Sequence, residues 1–170
     1  MKLRIPGIED LDEILALIND PESPHRQEAC RHREAPENPK ELYARLDEDF
    51  NVVVELAGEI AGFASWQVWD THAHLNVLSV SGRHQRQGVG RALFNAFRDR
   101  AREHGVFSYT LRAFADSTWA TRFYASLGLQ PLTPEQLQAP HHPGLQLYVA
   151  LAISQRQWPA PEKVMFFETL

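Results

Sequence analysis

Two glycines, Gly88 and Gly90, and three nearby arginines indicate a site where an anion could bind. A β-rich run ends at Val80, a polar turn follows, and the apolar spacing predicts an amphipathic helix from Gly88 to His104. No Ser, Thr, Asp or Asn stands directly before this helix to cap its first amides. Those amides and the helix dipole favour an anion. Positive charge is supplied nearby by Arg83, Arg86 and Arg91.

The glycine spacing in this turn excludes two common nucleotide motifs. The segment from Gly88 to Leu93 reads GVGRAL. No Lys-Ser or Lys-Thr pair follows the glycines, as a P-loop requires, and Leu93 stands where the third glycine of a dinucleotide fingerprint would be. ATP, GTP and dinucleotides are therefore disfavoured as ligands, and another phosphate-bearing molecule is expected.

The charge distribution points to a compact anionic ligand. The chain has 170 residues, a net charge of −5 and a pI of about 5.9. Residues 83–122 hold eight arginines and three acids, a net charge of +5, whereas the other residues hold nine basic and nineteen acidic side chains, a net charge of −10. An acidic protein with one basic segment lacks the extended basic face that nucleic acids require. No nucleic-acid partner is expected.

Cysteine count and hydropathy exclude two further classes of protein. The single cysteine, Cys30, cannot form an internal disulfide, so a disulfide-framed secreted module is excluded. No apolar run reaches the roughly 18 residues that span a bilayer, and the N-terminal segment is too acidic for a signal peptide. His72-x-His74 and His141-His142 have no further ligands at recognised metal spacings. We expect a cytoplasmic protein with neither a membrane partner nor a metal.

Hydrophobic periodicity predicts one mixed α/β domain over residues 1–170. Residues 40–130 contain no proline, which suits regular elements. The predicted strands cover 2–5, 51–57, 59–69, 74–80, 106–114, 129–132 and 163–170. The predicted helices cover 8–18, 40–49, 88–104, 117–127 and 145–155, and residues 21–39 are expected to be irregular or partly helical.

Two segments resemble the motifs of one enzyme superfamily. Gln85-Arg86-Gln87-Gly88-Val89-Gly90 resembles the Q/R-x-x-G-x-G/A signature of the GNAT superfamily of acyl-CoA-dependent N-acetyltransferases. The segment from Ser117 to Leu129 is similar to the family's N-x-x-A-x-x-F-Y-x-x-x-G-F block, and it follows one strand later, as in the family. The resemblance covers essentially the whole chain. It implies an α/β fold whose central, mixed and mostly antiparallel sheet has about seven strands flanked by helices.

The resemblance implies acetyl-CoA as co-substrate and no metal. The pyrophosphate is expected on backbone amides near Arg86 to Arg91, and the pantetheine is expected along the strand at Leu78 and Val80, where a β-bulge could open the ladder. Ser117 stands where the family commonly has a longer Asn. The implied cofactor-binding residues are Leu78, Ser79, Val80, Gln85, Arg86, Gln87, Gly88, Val89, Gly90, Arg91, Ser117 and Tyr124.

Two side chains are candidates for the chemistry. Tyr124 matches the family's tyrosine and would protonate the departing thiolate, although it could instead be a core aromatic beside Phe123. His74 stands where a number of family members carry the group that takes the amine's proton, and His72 on the same strand face could relay it. Alternatively, both histidines have no catalytic task and ordered water acts as the base. The Val80 N–H is expected to polarise the thioester carbonyl.

The expected function is acetyl transfer to a primary amine, by direct attack in a ternary complex. A small-molecule amine is favoured as acceptor, and the acidic surplus suits a cationic one. Residues 21–39, Trp66 or Trp69, and residues 134–160 are expected to line its pocket. The alternatives are a non-catalytic acyl-CoA-binding or sensing domain, a protein N-terminal or lysine acetyltransferase, and an interaction module or homodimer.

Overall fold

The computed structural model describes residues 1–154 and 163–170, which contain six strands and seven α-helices. The strands are β1 (Lys2–Arg4), β2 (Phe50–Leu56), β3 (Glu59–Trp69), β4 (His72–Val80), β5 (Ser108–Phe114) and β6 (Lys163–Thr169). The helices are α1 (Leu11–Ile18), α2 (Pro24–Arg31), α3 (Pro39–Glu48), α4 (Val89–Glu103), α5 (Thr118–Ala125), α6 (Pro134–Gln138) and α7 (Pro143–Ser154).

The six strands form one mixed sheet in the order β1-β2-β3-β4-β5-β6. β1 with β2, β2 with β3, and β5 with β6 pair in the antiparallel sense. β4 and β5 are parallel, with His72 opposite Ser108 and Leu75 opposite Leu111. The expected α/β fold with a mixed, mostly antiparallel sheet flanked by helices is confirmed.

The predicted strand at residues 129–132 is wrong, so the described residues hold six strands rather than about seven. Pro131 forms only an isolated bridge with Phe166, and the Leu132 N–H donates to the Met165 carbonyl at 2.8 Å. Proline has no N–H to offer a ladder, which limits this segment to a bridge. The other predicted elements appear within two residues of their expected ends, with two exceptions. The first three residues of the helix predicted over 8–18 form a 3-10 helix, Ile8–Asp10, before α1, and Gln155 at the end of the last predicted helix lies outside the described residues.

The chain divides into two compact units. The first contains Met1–Gln67 and Asn76–Arg100, and the second contains Val68–Leu75 and Ala101–Leu170. Across residues 1–154 and 163–170, no helix combines the length and the apolar character that a bilayer span needs.

Each unit has its own hydrophobic core. In the first, α1 and α3 cover β2, β3 and β4 through a buried cluster of Ile14, Leu17, Ile18, Leu42, Val53, Ile60, Phe63 and Val77. In the second, α7 and β6 contribute a buried cluster of Leu145, Tyr148, Ala152 and Met165, with Trp69 and Phe167 packed against it. Burial of these apolar side chains fixes the strand faces on which the candidate site residues lie.

Candidate functional site

The turn before α4 has the backbone shape of an anion cradle. A short 3-10 helix covers Gly82–His84, Gln85 is extended, and the backbone is left-handed at Arg86, with φ +58°, and at Gly88, with φ +83°. Successive backbone N–H groups in a turn of this kind can form an anion-binding concavity. A left-handed conformation is costly for Arg86, by about 1–2 kcal/mol, so the surrounding contacts must hold it.

Asp20 fixes the start of this turn. Its Oδ2 accepts a hydrogen bond from the Gly82 N–H at 2.8 Å, and its Oδ1 accepts one from the Glu22 N–H at 2.9 Å. The Gln85 side chain donates to the Glu22 carbonyl at 3.4 Å. Asp20 was not identified from the sequence, where it reads only as the end of a helix before Pro21.

Gly62 brings the N-terminus of α4 close to the sheet. A Cβ at Gly62 would lie 2.7 Å from Val89 Cγ1, 2.9 Å from Leu93 Cδ1 and 3.1 Å from the Ser79 carbonyl oxygen. A side chain at Gly62 would force Val89 and Leu93 to shift, so glycine allows α4 to lie close against β3. A glycine inside a predicted strand is the signal that could have revealed this close approach.

The surface around the turn is open and positively charged. Arg86, Gln87, Gly88 and Arg91 are exposed, and the first turn of α4 contains no acidic residue. Arg83 lies 3.9 Å from Glu59, and both side chains are mostly exposed. The combination of a helix N-terminus with this charge favours an anionic ligand.

The residues predicted to bind the cofactor fall in both units. The first unit contains Leu78–Val80 and the run from Gln85 to Arg91, and the second contains Ser117 and Tyr124. Ser79 is 1% exposed, and its Oγ has no hydrogen-bond partner among the described residues. A buried hydroxyl without a partner is uncommon in a folded protein and suits a position that a ligand completes.

Ser117 caps α5 in the second unit. Its Oγ accepts a hydrogen bond from the Ala120 N–H at 3.1 Å, and the residue is 1% exposed. The hydroxyl therefore satisfies one of the free amides at the start of the helix that carries Tyr124. A contact of Ser117 with a cofactor stays a prediction.

Tyr124 is buried within an aromatic cluster of the second unit. Its ring lies 5.1 Å from that of Phe123 and 5.1 Å from that of Phe166. Burial raises the pKa of the phenol, because the phenolate would lose its hydration. Tyr124 Oη consequently keeps its proton at neutral pH.

His72 and His74 lie in one chain of hydrogen bonds with two hydroxyl groups. His72 Nδ1 is 2.8 Å from Ser108 Oγ, and His72 Nε2 is 3.1 Å from Thr110 Oγ1. His74 Nδ1 is 2.9 Å from the same Thr110 Oγ1. Parallel pairing of β4 with β5 creates this arrangement, since it places Ser108 opposite His72 and Thr110 opposite His74.

Both imidazoles are neutral at physiological pH. Burial and the charge of His142 lower the pKa of His72 to about 4. Burial, Arg112 and His72 hold the pKa of His74 well below its ordinary value. A neutral imidazole retains one lone pair, so either ring can accept a proton or a hydrogen bond.

An aromatic layer and a close-packed helix enclose these histidines. The His74 ring stacks on Tyr148 with centroids 4.4 Å apart and on Trp69 with centroids 6.3 Å apart. A Cβ at Gly144, in the first turn of α7, would lie 2.6 Å from His72 Nδ1. Thr110, Tyr148 and Gly144 were not identified as site residues from the sequence, because their importance arises only when α7 packs on the sheet.

The two tryptophans expected near the acceptor occupy different surroundings. Trp66 lines a cavity of about 210 Å³ in the first unit, together with Asp49, Phe50 and Asn51. Trp69 belongs to the aromatic layer of the second unit. The acceptor role of residues 134–160 stays a prediction, and its last part lies outside the described residues. Cys30 is exposed on α2.

Comparison with known proteins places the chain among acetyltransferases. A profile of the Acetyltransferase (GNAT) family matches residues 11–129. Ribosomal protein bS18-alanine N-acetyltransferase of Escherichia coli (strain K12) is 32% identical over 96 residues, which cover 56% of this chain and 65% of that protein. The chain thus matches a little less than two thirds of the length of this curated relative.

Solved structures share the fold at low sequence identity. The crystal structure of ribosomal-protein-S18-alanine N-acetyltransferase from Escherichia coli superposes with a TM-score of 0.69 at 19% identity, covering 99% of this chain and 92% of that one. PaiA N-acetyltransferase from Thermoplasma acidophilum, solved in complex with coenzyme A, gives a TM-score of 0.72 at 11% identity, covering 99% and 98% of the two chains.

Proposed function

Because this chain belongs to the Acetyltransferase (GNAT) family, we propose that it transfers the acetyl group of acetyl-CoA to a primary amine by direct attack in a ternary complex. The observation that carries the proposal is the turn from Gly82 to Gly88, with its two left-handed residues and the open N-terminus of α4 behind it. Such a turn binds a pyrophosphate through backbone amides and needs no particular side chain.

The residues of the first unit fit acetyl-CoA. The amides from about Arg86 to Arg91 would hold the pyrophosphate, and the exposed arginines would add attraction for it. The strand segment Leu78–Val80 would pair with the pantetheine arm, and the partnerless Ser79 hydroxyl would gain a hydrogen bond there. When bound, acetyl-CoA supplies the activated acetyl thioester.

Tyr124 is the proposed proton donor to the leaving thiolate. Oη carries its proton at neutral pH, because burial raises the pKa of the phenol, and it would donate a hydrogen bond or that proton to the thiolate. Substitution by phenylalanine removes this proton and retains the aromatic packing against Phe123 and Phe166. The proposal therefore requires that Tyr124→Phe lose turnover while it retains acetyl-CoA binding.

His74 is the proposed acceptor of the amine's proton. Its ring is neutral at pH 7 because of burial and the neighbouring charge of Arg112. The alternative is an ordered water as base. A His74→Gln variant separates the two, since the loss of a side-chain base costs about 10²-fold or more in kcat, whereas a water-based mechanism leaves kcat close to that of the wild type.

The acceptor amine belongs, in this proposal, to one of two classes. A small cationic amine suits the acidic surplus of the chain outside residues 83–122. The N-terminal amine of a protein is the second candidate, favoured by the similarity to the E. coli ribosomal protein bS18-alanine N-acetyltransferase. Both acceptors supply the same nucleophile, a primary amine, so the proposed chemistry is common to them.

An assay of thiol release tests the function and distinguishes the acceptors. The full chain is incubated with acetyl-CoA and either a panel of polyamines, aminoglycosides and amino acids or a panel of peptides with free N-termini, and acetylated products are identified by mass. We expect turnover in one panel and its loss in Tyr124→Phe. Acetyl-CoA binding without turnover in either panel would instead support a sensing domain.

A further inference from the structure

A cavity of about 210 Å³ in the first unit has no role in the proposed function. Its walls include Asp49, Asn51, Trp66 and Arg100. The volume equals that of about seven water molecules in the liquid, so it suits a small organic molecule. Arg100 lies about 16 Å along the axis of α4 from Val89, where the helix begins. The cavity is therefore at the opposite end of α4 from the turn that is proposed to bind the pyrophosphate.

The carboxylate of Asp49 is held in one orientation and keeps one oxygen for a ligand. Its Oδ2 accepts hydrogen bonds from Ser65 Oγ at 2.9 Å and from Asn76 Nδ2 at 3.0 Å, and the side chain is 2% exposed. Arg45 Nη1 lies 3.8 Å from the same Oδ2. Because these donors of the described residues all contact Oδ2, Asp49 Oδ1 can accept hydrogen bonds from a molecule in the cavity.

The side-chain amide of Asn51 offers a second acceptor. Its Nδ2 donates to the carbonyl of Asp49 at 2.7 Å and to that of Arg45 at 3.0 Å. The amide cannot be reversed, because Oδ1 would then face these carbonyl oxygens. Asn51 is 7% exposed, and its Oδ1 has no hydrogen-bond partner among the described residues. A buried oxygen of this kind suits a position that a donor on a ligand completes.

Apolar and aromatic side chains form much of the remaining wall. The rings of Phe50 and Trp66 stack, with their centroids 5.9 Å apart and their planes 11° from parallel. Leu46 and Ile5 also line the cavity, and Ile5 is 62% exposed. A ligand can therefore enter from solvent beside Ile5 and place an apolar group against the aromatic rings.

The charges of the lining favour a ligand that carries both signs. Of the described residues that line the cavity, Asp49 carries the negative charge and Arg100 the positive charge. A guanidinium has five N–H donors, so it can bind a carboxylate in addition to its contacts within the protein. An ammonium group has three N–H donors, enough for Asp49 and Asn51 together. A ligand with one ammonium group and one carboxylate is complementary to this pair of charges.

We propose that this cavity binds an α-amino acid with an apolar side chain. The ammonium group of the ligand donates to Asp49 Oδ1 and Asn51 Oδ1. Its carboxylate binds Arg100, and its side chain packs against Phe50 and Trp66. Binding requires neither acetyl-CoA nor acetyl transfer, so this proposal does not depend on the proposed function.

Calorimetric titration of the full chain with L-leucine, without acetyl-CoA, tests the proposal. Isopentylamine lacks the carboxylate of leucine, isocaproate lacks the ammonium group, and glycine lacks the side chain. We expect saturable binding of leucine at millimolar concentration, and an affinity lower by about 10-fold or more for each of the three analogues. Absence of leucine binding, or equal affinity for leucine and isopentylamine, would overturn the proposal.

The indole of Trp66 reports where leucine binds. Indole N–H signals are recorded by NMR from ¹⁵N-labelled protein, and the signal of Trp66 is assigned by its loss in Trp66→Phe. We expect the addition of leucine to shift this signal. Binding that leaves the Trp66 signal unmoved takes place elsewhere on the protein and would contradict the proposal.

Variants at the two charged residues complete the test. Arg100→Gln should raise the Kd for leucine by about 10- to 100-fold, whereas Arg102→Gln, on an exposed arginine of α4 outside the cavity lining, is the matched control and should bind like the wild type. Asp49→Asn should cause a loss similar to that of Arg100→Gln. If Asp49→Asn does not fold because its bonds to Ser65 and Asn76 are weakened, Arg100→Gln decides alone. Normal leucine affinity in Arg100→Gln would show that this cavity is not the site.

Leucine binding and acetyl transfer are tested separately. Leucine binding at Trp66 in a chain that transfers no acetyl group would contradict the proposed function and retain this inference. Acetyl transfer by a chain that binds no leucine in this cavity would retain the function and overturn the inference.

Discussion

In the turn before α4, the candidate binding groups are backbone amides and exposed arginines, whereas on β4 and β5 they are enclosed imidazoles and hydroxyls. The turn obtains its shape from two left-handed residues and from Asp20, and its surface is open. On β4 and β5, hydrogen bonds between side chains hold the imidazoles and hydroxyls from Ser108 to His74 in place, within an aromatic layer. A site made of backbone amides tolerates changes of side chain, whereas a network of side-chain hydrogen bonds does not. Substitutions in each region test this difference.

Tyr124→Phe should abolish most turnover without affecting acetyl-CoA affinity. Removal of a proton donor costs about 10²–10⁴-fold in kcat. Turnover is measured by thiol release and affinity by titration calorimetry. Tyr43→Phe, on an exposed tyrosine of α3, is the matched control and should behave like the wild type. A Tyr124→Phe variant with normal kcat would leave Tyr124 as a core aromatic only.

Acidification should destabilise the second unit through its histidines. The folded state lowers the pKa of His72 to about 4, so the unfolded state binds more protons between pH 6.5 and 4. The free energy of unfolding should therefore be unaffected by His72 above pH 6.5 and should fall by about 3 kcal/mol as the pH drops to 4. Urea unfolding at several pH values measures it. If His72→Asn shows the same pH dependence as the wild type, His72 is not its source.

Gly88→Val should weaken acetyl-CoA binding through the backbone. A β-branched residue at φ +83° is strained, so the turn relaxes and its amides lose their common direction. Loss of one or two charge-assisted hydrogen bonds corresponds to about 10- to 100-fold in Kd. Gly105→Val, at φ +72° with open space around it, is the control with similar strain. Equal loss of affinity in both variants would show that strain alone, and not the turn, matters.

Two alanine substitutions should separate the regions most finely. Gly62→Ala crowds Val89 and Leu93 at the start of α4, and Gly144→Ala crowds Ser108 and His72. Each should cost about 1–3 kcal/mol of unfolding free energy. Gly62→Ala should weaken acetyl-CoA binding, whereas Gly144→Ala should leave the affinity for acetyl-CoA close to that of the wild type. The same pattern of loss in both variants would contradict the independence of the two regions.

The position of the turn between β4 and α4 could be predicted from the sequence because its signals are local. Glycine at positions 88 and 90, the absence of a capping residue and the clustered arginines all lie within a dozen residues. The fold class could likewise be predicted from periodicity, since each strand and helix carries its own pattern. The strand predicted over residues 129–132 is wrong because Pro131 lacks the backbone N–H that a ladder needs, although its neighbours are apolar.

The buried hydrogen bonds of His72 and His74 could not be predicted to the same extent, because the residues that form them are distant in sequence. His74 and Thr110 meet only through the parallel register of β4 and β5, which no local pattern fixes. Burial then converts histidines that titrate near neutrality in water into neutral groups. The function of Asp20 and Gly62 depends in the same way on which element packs against them.

Calorimetric titration of the wild-type chain with acetyl-CoA and with acetyl-pantetheine, which lacks the pyrophosphate, tests the central claim most directly. We predict saturable binding of acetyl-CoA and little or no binding of acetyl-pantetheine. At 100 times its Kd, acetyl-CoA should also raise the free energy of unfolding by about 2.7 kcal/mol. Equal affinity for the two compounds, or no binding of acetyl-CoA, would contradict the assignment of the turn before α4 as a pyrophosphate site.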